Sequence, residues 1–338
     1  MSKRVLLTGA SGFVGSHVLR HILANTDWEI VCLVSFRHRG LTDRIRLAVA
    51  GYDDNYERVT VLTHDLTAPI SIVLADNIGP IDYVINVASE SHVDRSIEAP
   101  APFIQNNVAL MTTMLDYARV TNVDAFLHVS TDEVYGPANE GHAHAEWVDL
   151  HLPSNPYSAS KSAQEAIAYS YWRTYDVPVI ITNTMNIVGE MQDPEKFVPM
   201  VIKRVLLGQE VPIHASPDGA IIGSRFYLHA RNQADGLLFA LAQPVPSWQE
   251  SDVPAKWNIV GEREVTNLEM AEMIAEFVGR PLKYDLVDFH SSRPGHDLRY
   301  ALDGGRMRAA GWVAPFSLED SLRRTVEWTL ARPEWLNL

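Results

Sequence analysis

The sequence predicts an α/β protein: a doubly wound parallel sheet covered by helices on both faces, with a smaller C-terminal α/β lobe. Three observations carry this expectation. Short, almost wholly apolar runs recur through the first half, as strands buried on both faces require. Segments with apolar residues at helical spacing separate them. After about residue 187 this alternation loosens into shorter elements with more prolines.

"RVLLTG" is the first strand, a short apolar run ending in glycine, and "GSHVLRHILAN" is the helix that follows it. "EIVCLV", "VTVLTHD", "DYVINVAS", "DAFLHVST" and "PVIITNT" supply the further strands. Helices such as "NNVALMTTMLDYARV" and "SKSAQEAIAYSYWRTY" lie between most of them. Sheets of this kind bind ligands beyond the carboxyl ends of their strands. Each polar cluster considered below follows an apolar run, so all can converge on one crevice. Residues 1–186 read as the sheet domain, rejoined by about 226–257, where "FYLHARNQADGLLFALA" (226–242) turns back towards it. Residues 187–338 are mainly the second lobe, closing with the helix of "SLEDSLRRTVEWTLAR", capped by Ser317 with Asp320 three residues on.

Bulk composition sets limits. A chain of 338 residues, 46% apolar and 21% charged, is long enough for a sizeable core. Its net charge of −14, with both signs interspersed, argues against a nucleic-acid partner, which wants a basic face. The single cysteine, Cys32, lies in an apolar run and reads as a buried structural thiol. The start, "MSKRVLLTGASG", has no secretory h-region, and no apolar stretch reaches membrane-spanning length, so a cytoplasmic protein without a membrane partner is expected. "HAHAE" (142–146), near Glu140 and Glu146, lacks tight four-ligand spacing, and no metal is expected.

"TGASGFVGSH" sets Gly9, Gly12 and Gly15 three residues apart between the first strand and helix. Glycine lets the backbone turn tightly and approach a pyrophosphate, and the helix amino terminus offers free N–H groups and a positive dipole end. A plain strand-to-helix turn also uses glycine. Position after the first strand of an alternating chain favours a dinucleotide, and with it a Rossmann-like domain joined to a substrate-binding lobe. An acid is expected about 20 residues on, for the adenosine ribose. Val34 stands there instead, followed by Ser35, Arg37, His38 and Arg39, a set that suits a 2′-phosphate and a solvated loop about equally and leans the expectation slightly from NAD towards NADP. "HDL" ends the third strand and can frame an adenine through Asp65 and Leu66.

"YSASK" puts Tyr157 and Lys161 four residues apart, one helical turn, on one face. A lysine ammonium beside a phenol stabilises phenolate, so Tyr157 can take a proton from a sugar hydroxyl while hydride leaves the same carbon. "TGASGFVG" with "YSASK" resembles the extended short-chain dehydrogenase/reductase superfamily. "SESHVDRSI", "STDEVYG", "YSASKSAQE", "PEKFVP" and "RPGHDLRYALD" narrow the resemblance to the dTDP-glucose 4,6-dehydratase family, from residue 4 to about 315.

The resemblance implies an NDP-hexose 4,6-dehydratase with a tightly held nicotinamide cofactor: oxidation at C4, loss of water across C5 and C6, and hydride return to C6. It implies Glu133 as the C5 base and Asp132 as the acid for the C6 hydroxyl. Thr131 would bond the C4 oxygen, with Tyr157 as the oxidation base and Lys161 as its partner and a ribose ligand. Related epimerases and decarboxylases usually lack an acid at the Asp position, so the paired acids discriminate. Further cofactor contacts are implied for Ser11, Phe13, Val14, Val87, Ala88, Ser89 and Asn106. Substrate contacts are implied for Ser91, Asn186, Lys196, Phe197, Arg225, Asn258, Arg293 and His296; His92 suits either the sugar or a structural role. "NIVGE" departs from the family's "NNYGP", "RFYLHARNQ" from "RDWLYVEDH", and residues 215–224 from its usual short loop, which leaves the nucleotide and hexose open. A homodimer through a four-helix bundle of the two long helices is implied. The alternatives are another nucleotide-sugar enzyme on this scaffold, or a non-catalytic nucleotide-binding protein.

Overall fold

The computed structural model describes residues 2–37, 40–289 and 297–338. Its centre is a seven-stranded, wholly parallel sheet. The first six strands in chain order are β1 (Arg4–Thr8), β2 (Glu29–Val34), β3 (Val59–Thr63), β4 (Tyr83–Asn86), β5 (Ala125–Val129) and β6 (Val179–Thr184). Short strands follow: β7 (Ile187–Val188), β8 (Val211–Ala215), β9 (Ser224–Arg225) and β10 (Leu228–His229). Then come β11 (Ala255–Ile259), β12 (Val265–Thr266) and β13 (Tyr284–Asp288). The spatial order β11-β6-β5-β4-β1-β2-β3 reverses direction at β1 and β4, so the chain winds outwards both ways from the centre.

Alternation along each strand splits the core into two layers. Val5, Leu7, Ile30, Cys32, Ile85 and Leu127 point to one face, beneath α1 (Phe13–Asn25) and α2 (Thr42–Val49). Leu6, Val31, Leu33, Val84 and Phe126 point to the other, beneath α3 (Ile72–Ile78) and α5 (Pro100–Thr121), with α4 (Val93–Glu98) leading into α5. α6 (Pro156–Tyr175) packs beside α5. These strands read as continuous apolar runs because neither face meets water.

The second lobe has its own core. α7 (Phe197–Leu206), α9 (Asn267–Val278) and the helix Leu318–Leu330 pack over the parallel pair β8–β13. Ser317 caps that last helix by accepting from the Asp320 amide. Residues 226–242 do not enter the sheet; most of them form α8 (Ala230–Leu241), which covers it beside α1. The chain returns to the sheet further on, as β11 against β6. Among the described residues no helix is long and apolar enough to cross a membrane.

Candidate active site

The carboxyl ends of the strands open onto one cleft of about 400 Å³. At β1 the glycine turn is dictated by space. Gly9 has φ +73, and a Cβ there would meet the Ala88 amide nitrogen at 2.9 Å; one at Gly15 would sit 2.1 Å from the Gly9 carbonyl oxygen. The Thr8 hydroxyl pins the facing strand end, donating to Asn86 Oδ1 at 2.7 Å and accepting from the Val87 and Ala88 amides at 3.1 Å each. Gly12 precedes α1 without a side-chain cap, which leaves the amino-terminal N–H groups of the helix for a ligand. This cradle, which any Cβ would fill, fits a dinucleotide pyrophosphate.

The residues expected around a cofactor all line the cleft: Gly9, Ser11, Gly12, Phe13, Val14 and Gly15 at the first turn, Ser35, Arg37, Asp65 and Leu66 at the second and third strand ends, and Val87, Ala88, Ser89 and Asn106 beyond β4. Arg37 is already engaged there, Nη1 donating to Asp65 Oδ2 at 2.5 Å and Nη2 to Asn106 Oδ1 at 3.0 Å. Val34 is buried at the cleft wall. His38 and Arg39 lie outside the described residues.

At β5 the chain turns into a 3-10 turn, Asp132–Tyr135, with Thr131 as its cap. The Thr131 hydroxyl accepts from the Glu133 amide at 3.3 Å and donates to Asp132 Oδ1 at 2.9 Å, and a hydrogen bond joins it to the Tyr157 side chain. Asp132 is 4% exposed; burial first, and the neighbouring Glu133 charge second, push its pKa up to about 7. Glu133 is also raised by burial, but its Oε2 accepts from Asn155 Nδ2 at 3.2 Å, which favours the ionised form. The two adjacent acids thus have different partners, the arrangement that divides acid from base.

α6 begins at Asn155, which forms a capping box with Ser158 ahead of Pro156. Asn155 therefore serves the helix and Glu133 together. The sequence reading did not single it out, although an Asn-Pro pair before a helical run is a start signal. Tyr157 and Lys161 both reach the cleft. Lys161 Nζ donates to the Val129 carbonyl at 2.7 Å, and burial brings its pKa down to about 7. The Tyr157 phenol is pushed up instead, by burial and then by the Glu133 charge.

Of the expected substrate residues, Ser91, Thr131, Asn186 and Lys196 line the cleft, as does His92, whose Nε2 lies 3.1 Å from Glu195 Oε1. Phe197 does not; it stacks on Tyr227 within the second lobe's core. Asn258 is fully buried, its side-chain amide donating to the His144 and Asp303 carbonyls at 3.0 and 3.1 Å. Arg225 donates to the carbonyls of Ser224, Asp297 and Leu298, and its charge acts on both acids without lining the cleft. Arg293 and His296 lie outside the described residues. His142 and His144 gather around Asp149 rather than Glu140 or Glu146: Oδ1 lies 2.9 Å from His142 Nε2 and 3.4 Å from His144 Nδ1, while Oδ2 accepts from the Ala145 amide. Glu146 turns to the Asn258 amide at 2.7 Å.

Sheet order, glycine cradle and the tyrosine–lysine helix together define the class, an extended short-chain dehydrogenase/reductase. The chain belongs to the NAD dependent epimerase/dehydratase family, whose model matches residues 5–259. It is 36% identical over 332 residues to the low-salt glycan biosynthesis protein Agl12 of Haloferax volcanii, covering 98% of this chain and 99% of that one. It is 33% identical over 357 residues to dTDP-glucose 4,6-dehydratase of Salmonella typhimurium, covering 99% and 94%. Among solved structures it resembles a double mutant of DesIV, a dTDP-glucose 4,6-dehydratase from Streptomyces venezuelae with NAD and DAU bound. The TM-score is 0.84, with 30% identity over 99% of each chain.

Proposed function

We propose that this chain is a nucleotide-sugar 4,6-dehydratase that converts an NDP-hexose to the NDP-4-keto-6-deoxyhexose. The observation that carries the reading is the pair of buried Asp132 and half-buried Glu133, adjacent in sequence, differently hydrogen-bonded, and in one cleft with Tyr157. The cradle around Gly9 and Gly15 would hold NAD, which when bound takes up hydride at C4 and gives it back at C6. Tyr157, in its phenolate form, receives the C4 hydroxyl proton, and Thr131 hydrogen-bonds the C4 oxygen. A C4 ketone acidifies C5–H, so Glu133, the ionised member, removes that proton. Asp132, protonated below about pH 7, donates to the C6 oxygen as water leaves. Lys196, Asn186 and Ser91 extend the cleft towards the second lobe and would bind the sugar diphosphate, as Arg293 and His296 would from outside the described residues.

Incubation with a panel of NDP-hexoses tests this. Loss of one water by mass, with the alkaline ultraviolet absorbance of a 4-keto sugar, is expected; a product of unchanged mass overturns it.

Two finer assignments belong to the same reading. The ribose end is proposed to admit a 2′-phosphate, supported by Val34 in place of an acid and by Ser35 and Arg37 on the cleft wall; tighter binding of NAD than of NADP would sink this. A homodimer through α5 and α6 is supported by half-buried apolar side chains on the paired helices, among them Val108, Ala109, Ala163 and Ile167. A monomer mass by light scattering would count against it.

A further inference from the structure

Behind the acid turn lies a buried charge pair that no step above uses. Glu165 stands on α6 one turn beyond Lys161 and is 2% exposed, and Lys256 on β11 is 1% exposed. Lys256 Nζ donates to Glu165 Oε2 at 2.7 Å. The other oxygen, Oε1, accepts from Ser130 Oγ at 2.5 Å and from Asn183 Nδ2 at 2.7 Å. Ser130 directly precedes Thr131, and the same Asn183 amide donates to the Thr131 carbonyl at 2.9 Å. Lys256 Nζ also lies 4.9 Å from the ring centre of Tyr135, the residue that closes the turn bearing both acids.

Stability alone is a poor reason for such a pair. Desolvating two charges costs about as much as their attraction returns, and an apolar pair of similar volume would often serve as well. Here two partners of the carboxylate, Ser130 and Asn183, lead to a catalytic group. Ser130 and Asn183 fix Thr131 from both sides, and α6 carries Lys161 and Tyr157.

We propose that Glu165, neutralised in part by Lys256, is a positioning residue that fixes the Thr131 turn against β6 and holds Lys161 in its charged form. The catalytic consequence rests on the dehydratase reading; the geometry does not. Lys161 has neutral hydrogen-bonding neighbours, the Val129 carbonyl at 2.7 Å and His128 Nε2 at 3.5 Å. Burial lowers its pKa, and the Glu165 charge opposes that. The titratable and charged groups facing this corner are Tyr157 on α6, His128 on β5, Tyr135 on the acid turn, His151 from the loop before α6 and Lys256 on β11.

The test compares wild type with Glu165→Gln and with the charge-free double variant Glu165→Gln/Lys256→Met. Because Lys161 acts as the ammonium in C4 oxidation, that step, read from the absorbance of the reduced cofactor and so apart from the Asp132-dependent elimination, falls as pH rises through its pKa. In both variants that alkaline limb should move about one pH unit down, and kcat near neutrality should fall about tenfold with KM changed less than threefold. The double variant should regain most of any Tm lost by the single one without regaining the limb. Unchanged limbs with only Tm lowered overturn the proposal. If the single variant does not fold, the double variant carries the test. If wild type dehydrates no nucleotide hexose, the dehydratase reading fails on its own. The positioning claim is then read from the NMR titration of the Lys161 ammonium in the double variant, where a pKa equal to that of wild type overturns it.

Discussion

The Thr131 hydroxyl donates to Asp132 Oδ1 at 2.9 Å, while Asp132 Oδ2 is buried without a hydrogen-bond partner among the described residues. A buried carboxyl with one oxygen hydrogen-bonded and the other not favours its protonated form, and the second oxygen is where a proton to be delivered would sit. Asp132→Asn is therefore expected to bind cofactor and oxidise C4 normally while slowing elimination at least ~10²-fold. Rapid-mixing absorbance of the reduced cofactor, alongside product mass, separates the two steps. In wild type the elimination step should fall as pH rises through about 7, because the acid form is the one required.

Asn155 is predicted to tune the base. Its amide donates to Glu133 Oε2 at 3.2 Å and so favours the carboxylate. Asn155→Ala removes that bond and raises the Glu133 pKa further, which shifts the acid limb of the C5 exchange rate to higher pH. Deuterium uptake at C5 from heavy water reads this directly. The same change removes the cap of α6 and should cost about 1 kcal/mol of stability.

Gly15 is predicted to tolerate no side chain. A methyl 2.1 Å from the Gly9 carbonyl oxygen forces the turn apart. Gly15→Ala should lose about 1–3 kcal/mol of stability and at least ~tenfold in cofactor affinity. Calorimetric titration with NAD and NADP, together with thermal melts, checks both numbers.

Acid should weaken the junction between the two lobes. His17 on α1 lies against Glu190 and His229, with Arg324 from the Leu318–Leu330 helix bound to Glu190 Oε1 at 2.6 Å. Burial brings the His17 pKa down from 6.5 to about 4. The unfolded chain then takes up a proton near 6.5 that the folded chain refuses until about 4, so stability falls as pH drops through this window. The loss approaches about 3 kcal/mol once pH is below the folded value. Urea unfolding at a series of pH values measures it, and His17→Gln should flatten that part of the curve.

The histidine pair shows how sequence neighbours mislead. His142 and His144 stand beside Glu140 and Glu146 in the chain, yet Asp149 is the acid they meet, because Glu146 is drawn to the Asn258 amide. Arg225 and Asn258 show the same thing from the other side. Both carry donors that suit a phosphate or a sugar, and both spend them on backbone carbonyls that only the fold brings near.

By itself the sequence determined whatever depends on local spacing. The apolar runs set a parallel sheet buried on both faces, because alternate side chains of each strand must find a core. Three glycines set a turn that no Cβ can enter, four residues separate tyrosine and lysine by one helical turn, and two acids follow the fifth strand. Tertiary structure alone decided what depends on meeting across the chain. The sheet order carries β11 beside β6, and so brings Lys256 to Glu165, 91 residues away, behind the acid turn. Burial, which no local pattern fixes, raised Asp132 and lowered Lys161, where spacing by itself set only two adjacent acids and a lysine one turn from a tyrosine.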